Sequence, residues 1–494
     1  MSSLQREFKI FNVRPLSGVI NIPKIEKFNF KNYYDFSFQE SVEKTLETSF
    51  GFRESLIRLY NQYTWDFYKK TPSTKVLVGK DNWLFPNWHL HATPYSKELT
   101  ANFDRQAHYL YQLSNILKEY NTHLLVCFIP SKTEIYKEYI NKNINIDSDF
   151  NPIDYYCNKF DENGVNYINL TKMFYDVKDT AIFNSFPQTG THWSNIMSVY
   201  AADSIFNIFR SLSGINMPKL KIEKPYTANV RNPDNDLELI LNLYRPIKQK
   251  DNYYVDVEII EDSASIHPKM ITMGDSHFWN LSYSLPLDKI FSEYPYWYYA
   301  NTIYYDDQYS NINQVNMVDE LINSDFILIM YSAYQTYFLS SYFSEWSLIS
   351  LCIDSIEIEK TINNIINNIK SNPQWFEGIQ IKAVKDNKTL EKTLYTDALY
   401  MVKQNPYKYF PQLDIPDIPD YRSKEIEKVL NSPKSVKVIK EKNQEDRINE
   451  IMNNMFMSND WIKSLKKKAK SANKSLEEVM REDAIWMIEH ENNK

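Results

Sequence analysis

"ITMGDSHFWN", residues 271–280, is the stretch on which the reading of the fold turns. A short apolar run, Met270 to Met273, ends at Gly274 and is followed by Asp275, Ser276 and an aromatic segment. The chain holds only 8 glycines in 494 residues, so each marks a place where the backbone needs one. An apolar strand closing on a glycine, with a serine opening the next helix, puts a hydroxyl at the carboxyl end of a sheet, where α/β sites form. The amides of Ser276 and His277 would then point from the helix start, ready to stabilise an oxyanion. The plainer alternative is that Asp275 or Ser276 only caps the helix.

A serine hydroxyl is a poor nucleophile without a base within hydrogen-bond reach. The stretch "FPQTGTHWSNI", 186–196, offers one. Gly190 stands two residues before His192, Trp193 follows, and Ser194 is placed to cap a helix. A histidine fixed in a loop just before a helix is held in place yet accessible. His192 is therefore the candidate base and Ser276 the candidate nucleophile, against the alternative of a core histidine.

Around these two motifs the pattern alternates. "AHYLYQLSNILKEY" has helical spacing and leads into the apolar strand "HLLVCFIP"; "VNYINL" (165–170), "PKMITMG" and "DFILIMY" (325–331) read as further strands, and "SNIMSVYAADSIFNIF" (194–209) as a helix. Apolar strands separated by helices predict a mostly parallel sheet covered on both faces. Upstream, "KVLVGKDNWLF" (75–85) reads as a hairpin, and "FQESVEKTLETSFGFRESLIRLYNQYTWDFYKK" as helix interrupted at Gly51.

After about residue 355 the strands stop and a repeat begins. Residues 362–402 match 448–488: Trp375 answers to Trp461, 86 residues on, Lys382-Ala383 to Lys468-Ala469, and Asp397-Ala398 to Asp483-Ala484. Each copy should form about three helices, with its Trp, Ala and Met facing inward and Lys466, Lys467 and Lys470 facing water. Ser475 and Glu478 have capping-box spacing in the second copy. The Pro-rich "NPYKYFPQLDIPDIPDY" links the two copies. Neither copy supplies a base, nucleophile or metal cluster.

Composition narrows the function. A net charge of −7 and no basic stripe before the last 60 or so residues argue against nucleic acid as partner. No glycines cluster, which removes dinucleotide fingerprints and P-loops. The three cysteines, Cys127, Cys157 and Cys352, lack metal spacing and make no disulfide framework. His89 and His91 in "WHLHA" sit two apart but lack a clustered third ligand, so they read as a surface or loop pair, with no metal and no cofactor expected. No apolar run is long enough to span a bilayer, and the start lacks an apolar signal region.

"GTHWS" followed some 80 residues later by "GDSH" resembles the alginate O-acetyltransferase-like members of the SGNH-hydrolase superfamily. The resemblance extends to "SFGFRESLIRLYNQ" (49–62), "VLVGKDNWLF" (76–85) and "IPSKTEIY" (129–136). It implies a three-layer α/β/α SGNH-hydrolase-like domain, to which the repeat adds a duplicated all-α region on the C-terminal side. Together they set an N-terminal arm with helices at 1–75, the SGNH-like domain at 76–350, a first helical repeat at 355–405, a linker at 406–425 and a second repeat at 426–494. The resemblance also implies O-acetyl transfer to an exopolysaccharide or other cell-surface glycan, with Ser276 as acyl-accepting nucleophile and His192 as base. Gly274, Asp275, Gly190 and Trp193 would support them. Such proteins work outside the cytoplasm, often with a membrane-bound acyl-transfer partner. The alternatives are an acetylesterase, a dead glycan-binding scaffold and a cytoplasmic location.

One departure stands out. The family pattern is Asp-x-His-Trp, and this chain has Gly190 where that aspartate belongs. Another carboxylate must orient His192, or a dyad works more slowly, or activity is lost. Asp275 is nearest in sequence but better suited to bracing its own turn; Asp234 and Asp236, in "NPDNDLELI", are the remote candidates.

Overall fold

The computed structural model describes residues 13–17, 25–90, 100–141 and 150–413, apart from 49, 72, 250–251, 307, 405 and 412, and then residues 465, 468 and 479–484. The chain divides into two compact units, one of residues 64–241 and 245–416, the other of 1–63, 242–244 and 417–494.

The described residues of the larger unit form thirteen strands: β1 (Val76–Val78), β2 (Leu84–Pro86), β3 (His123–Ile129), β4 (Tyr167–Asn169), β5 (Lys219–Ile222), β6 (Tyr226–Ala228), β7 (Asn252–Tyr254), β8 (Val257–Ile260), β9 (Met270–Gly274), β10 (Tyr296–Tyr298), β11 (Thr302–Tyr305), β12 (Gln308–Asn311) and β13 (Phe326–Ser332). Seven of them form one sheet in the order β12-β11-β10-β9-β13-β3-β4. From β10 to β4 every pairing is parallel, while β11 and β12 add an antiparallel edge. β1 and β2 make the expected hairpin, Val76 opposite Pro86.

The alternation of side chains along β3 shows why both faces are covered. Leu125, Cys127 and Ile129 join Phe326, Leu328 and Met330 of β13 in one core with helix Asn195–Ser213. Leu124, Val126 and Phe128 join Ile327, Ile329 and Tyr331 in a second core with helices Thr100–Glu119 and Pro152–Asn163. Period-two strands that are apolar on every position must bury both faces, and the result is a three-layer α/β/α domain. The helix Asn195–Ser213 starts where expected: the Ser194 hydroxyl accepts the Met197 N–H, and Gly214, at φ 71°, ends the helix in the left-handed region. No helix among the described residues is long and apolar enough to cross a membrane.

The first repeat is three helices, Ser355–Ser371, Pro373–Lys385 and Leu390–Gln404. Ile358, Ile362, Ile365 and Ile369 form an inward stripe at helical spacing against Ile379, Ala383, Leu394 and Ala398. Trp375 corrects the expectation that the shared tryptophan faces inward: it sits in the first turn of its helix and is 39% exposed. The inward positions are filled by aliphatic residues small enough to let three helices approach, and the indole stays outside them.

Helix Arg53–Tyr68 begins after the Gly51 break, with residues 53–63 in the smaller unit. Its buried Arg58 donates to the carbonyls of Leu243 (3.2 Å) and Pro15 (2.5 Å), and Arg14 donates to Leu243 as well. Asn242 exchanges two hydrogen bonds with the backbone of Ser17. Of the second repeat, Leu465, Val479, Met480 and Ala484 are buried. Lys468 pairs with Asp483 as Lys382 pairs with Asp397 (2.6 Å), so one tie occurs in both copies. Trp461, the Ser475–Glu478 box and Lys466, Lys467 and Lys470 lie outside the described residues.

Candidate active site

β9 lies between β10 and β13, and Gly274 ends it opposite Met330. A Cβ at Gly274 would fall inside contact distance of the Met330 carbonyl, so the close strand approach admits only glycine. The chain then turns through Asp275 and Ser276 into helix His277–Ser284.

Asp275 braces this turn. Its carboxylate is buried and saturated: Oδ1 accepts the His277 backbone N–H (3.0 Å) and lies 2.9 Å from His277 Nδ1, while Oδ2 accepts the Ser332 N–H (2.8 Å) and hydroxyl (2.6 Å). Burial pushes its pKa up, but His277 and Ser332 outweigh that and hold the carboxyl well below the usual carboxylate range. Ser276 makes no capping bond from its side chain, which leaves the hydroxyl for other work. One expectation needs correcting here. The His277 amide is committed to Asp275 and does not point at an oxyanion; the Ser276 amide is the one of the pair without an acceptor among the described residues.

His192 is brought to that hydroxyl. Its Nε2 lies 2.7 Å from Ser276 Oγ, across 84 residues of sequence. Trp193 fixes the approach from beneath: its indole N–H donates to the His277 carbonyl (2.9 Å), and Asn280 Nδ2 donates to the Trp193 carbonyl (2.8 Å). These bonds tie the histidine loop to the first turn of the serine's helix.

On the far side of the imidazole, Nδ1 lies 3.1 Å from Asp236 Oδ2, oblique to the line its N–H would take. Asp236 Oδ1 accepts the Thr191 N–H (2.7 Å), so one carboxylate grips both the ring and the backbone beside it. Burial would raise the Asp236 pKa; the adjacent His192 imidazole and its charge, with the Thr191 amide, bring it below the ordinary value. Asp234, its neighbour, instead caps the helix through Asn195 N–H (3.1 Å), and burial lifts its pKa to about 7.

Gly190 and Asp236 explain each other. A Cβ on residue 190 would stand 2.6 Å from the Asp234 carbonyl and 2.7 Å from Pro187 Cγ. The glycine lets the 234–236 segment pack directly on the histidine loop, and that packing delivers a carboxylate to the nitrogen an aspartate at 190 would have served.

His89 was legible only as half of a surface or loop pair, and the structure corrects this. Its ring stacks on Tyr334 at 4.8 Å, its Nδ1 is buried without a partner among the described residues, and its pKa is pulled down to about 3 by burial and then by the nearby His277 and His192. His91 lies outside the described residues. His277 adds an imidazole edge-on to His192 at 4.9 Å. No group of acidic, histidine or cysteine side chains among the described residues is arranged to hold a metal.

Residues 76–254 match the family model described as "SGNH hydrolase-like domain, acetyltransferase AlgX", a span that includes His192 and Asp236 and stops short of Ser276. No curated protein matches the chain. Among solved structures, the O-acetyltransferase domain of Pseudomonas putida AlgJ is similar over 56% of this chain and 98% of its own, at 14% identity and a TM-score of 0.39. Pseudomonas aeruginosa AlgX covers 52% of this chain and 55% of its own at 12% identity and TM-score 0.33. Bacillus cereus PatB1 covers 53% and 96% at 15% identity and TM-score 0.33. Residues 76–254 are thus similar to the SGNH hydrolase-like domain that the AlgX acetyltransferase family model describes.

Proposed function

We propose that this protein transfers acetyl groups to hydroxyls of a polysaccharide, outside the cytoplasm, through an acetyl–Ser276 intermediate. The observation that carries the reading is the 2.7 Å approach of His192 Nε2 to Ser276 Oγ, backed by Asp236 at Nδ1. For Ser276 to donate, Nε2 must hold the lone pair, so the ring proton sits on Nδ1 facing Asp236.

The steps follow from that tautomer. Ser276 Oγ attacks the acetyl carbonyl of the donor while His192 takes the hydroxyl proton. The tetrahedral oxyanion meets the Ser276 amide, and collapse expels the donor's leaving group with the proton from His192. A sugar hydroxyl then attacks the acetyl ester, giving its proton to His192, and the second collapse returns that proton to Ser276. Asp236 stabilises the imidazolium present between each pair of transfers. A membrane-bound acyl-transfer partner is the proposed source of the acetyl group.

Asp236 also weighs against a dead scaffold, since the acid missing from position 190 has a substitute. The test is an aryl acetate with and without oligosaccharide. The expected result is burst release of the phenol, an acetyl group on Ser276 by intact mass, and faster turnover with acetylated sugar when the acceptor is present. Hydrolysis unaffected by any acceptor would make the protein an esterase; no acylation of the wild type, or unchanged acylation in Ser276→Ala, would overturn the reading.

A further inference from the structure

Among the described residues, Lys132 is the one lysine of the largest fully buried side chains, at 0% exposure. It opens the short helix Lys132–Ile135 directly after β3, capped by Ser131. Its ammonium donates to three backbone carbonyls: Leu84 on β2 (2.7 Å), Gln188 (3.1 Å) and Gly190 (2.7 Å). Trp83 and Phe85 present their rings to it, with centroids at 5.2 and 5.4 Å.

Three carbonyl acceptors match the three N–H bonds of an ammonium; a neutral amine would leave one of them unserved. Burial drives the Lys132 pKa well below the usual lysine value, only partly offset by Asp236 and then Asp234, so the three carbonyls and the ring faces are what favour the ammonium here. The charged and titratable groups that share this neighbourhood are Asp234 and Asp236 on their common segment, His192 on its loop, His89 on helix Asn87–Leu90, and Asp275 with His277 at the serine's turn.

Two of the three carbonyls belong to the loop that carries His192, and Gly190 is also the residue on which the Asp234 carbonyl packs. One buried cation therefore pins the hairpin to the histidine loop, and it is an oppositely charged neighbour of Asp236. We propose that Lys132 is a positioning residue: it clamps the 188–190 backbone so that His192 meets Ser276 and Asp236 together. The inference rests on the Ser276–His192–Asp236 reading.

The measurement is the rate at which a fluorophosphonate labels Ser276, paired with aryl acetate kinetics. Labelling of wild type and not of Ser276→Ala tests the underlying reading by itself; an unlabelled wild type would remove both. Given labelling, Lys132→Met is expected to label and turn over at least ~10-fold more slowly, with KM within about twofold, as befits a group acting on the reacting side chains and not on substrate. The double variant with Asp236→Asn should lose little beyond Asp236→Asn alone, because both act on one imidazole. If Lys132→Met does not fold by its melting transition, Lys132→Gln, which keeps two donors without the charge, carries the same expectation. Wild-type labelling rate in either folded variant, or losses that multiply fully with Asp236→Asn, would overturn the clamp.

Discussion

At residue 190 the relation between a glycine and a distant acid can be tested directly. Asp236→Asn should keep the Thr191 contact through its amide oxygen but lose the charge at His192, and turnover should fall roughly 10²–10⁴-fold. Gly190→Asp restores the family pattern in sequence, yet its Cβ collides with the Asp234 backbone. It should lower both the melting temperature and the activity, and should not rescue Asp236→Asn; rescue in the double variant would show the two positions to be independent. Asp234 gives a different signature. Its carboxyl, raised from 3.8 to about 7 in the folded chain, binds a proton that the unfolded chain has already lost between those values. Stability therefore falls as pH rises through that window, by on the order of 4 kcal/mol in all. Asp234→Asn has no proton to lose, so its stability relative to wild type should climb from about pH 4 to about pH 7 and level off above. A flat difference in denaturation free energy across that range would contradict the assignment. The meeting of Ser276 and His192 was readable because each sits beside a glycine and a helix start. Asp236 could be named only as a remote candidate, because nothing local in "NPDNDLELI" says which loop it packs on, and His89 was missed because stacking on Tyr334 is a tertiary fact.

Elements were more legible than contacts. The apolar runs that became β3, β9 and β13 carry their own signal, since strands buried on both faces have no polar alternation to hide them. The antiparallel edge β11–β12, rich in Tyr and Asn, has no such run and did not stand out. The repeat was visible as matched residues, and its Lys–Asp tie is the physical reason for two of the matches. Conserved-looking pairs need not carry much energy, however. The Lys382–Asp397 bridge is exposed on the lysine side, and Lys382→Ala should cost no more than about 1 kcal/mol. Leu394, buried in the three-helix core, should cost roughly 2–5 kcal/mol as Leu394→Ala. Trp375→Ala should fall nearer the bridge than the leucine, because the indole is well exposed. Chemical denaturation of the three variants orders them; a tryptophan loss matching the leucine would put Trp375 in the core after all.

For the whole molecule, the division of the chain separates the residues proposed for catalysis from the C-terminal copy. Ser276, His192, Asp236 and Lys132 all fall within residues 64–241 and 245–416, whereas residues 417–494 belong to the other unit. That second copy shares its Lys–Asp tie and buried positions with the first and has no base, nucleophile or metal cluster in its sequence. A polymer substrate gains from every additional surface that holds it near the active site, because tethered binding raises effective concentration without new chemistry. A small aryl acetate gains nothing from such surfaces. Deleting residues 426–494 should therefore leave acylation of Ser276 and small-ester turnover within a few-fold of wild type, while transfer to polysaccharide falls more steeply. The two rates must be measured on the same preparation, with a melting transition to show that the larger unit is intact. If the truncated, folded protein lost small-ester turnover as well, the C-terminal copy would be needed to complete the active site, and the separation of chemistry from substrate holding would fail.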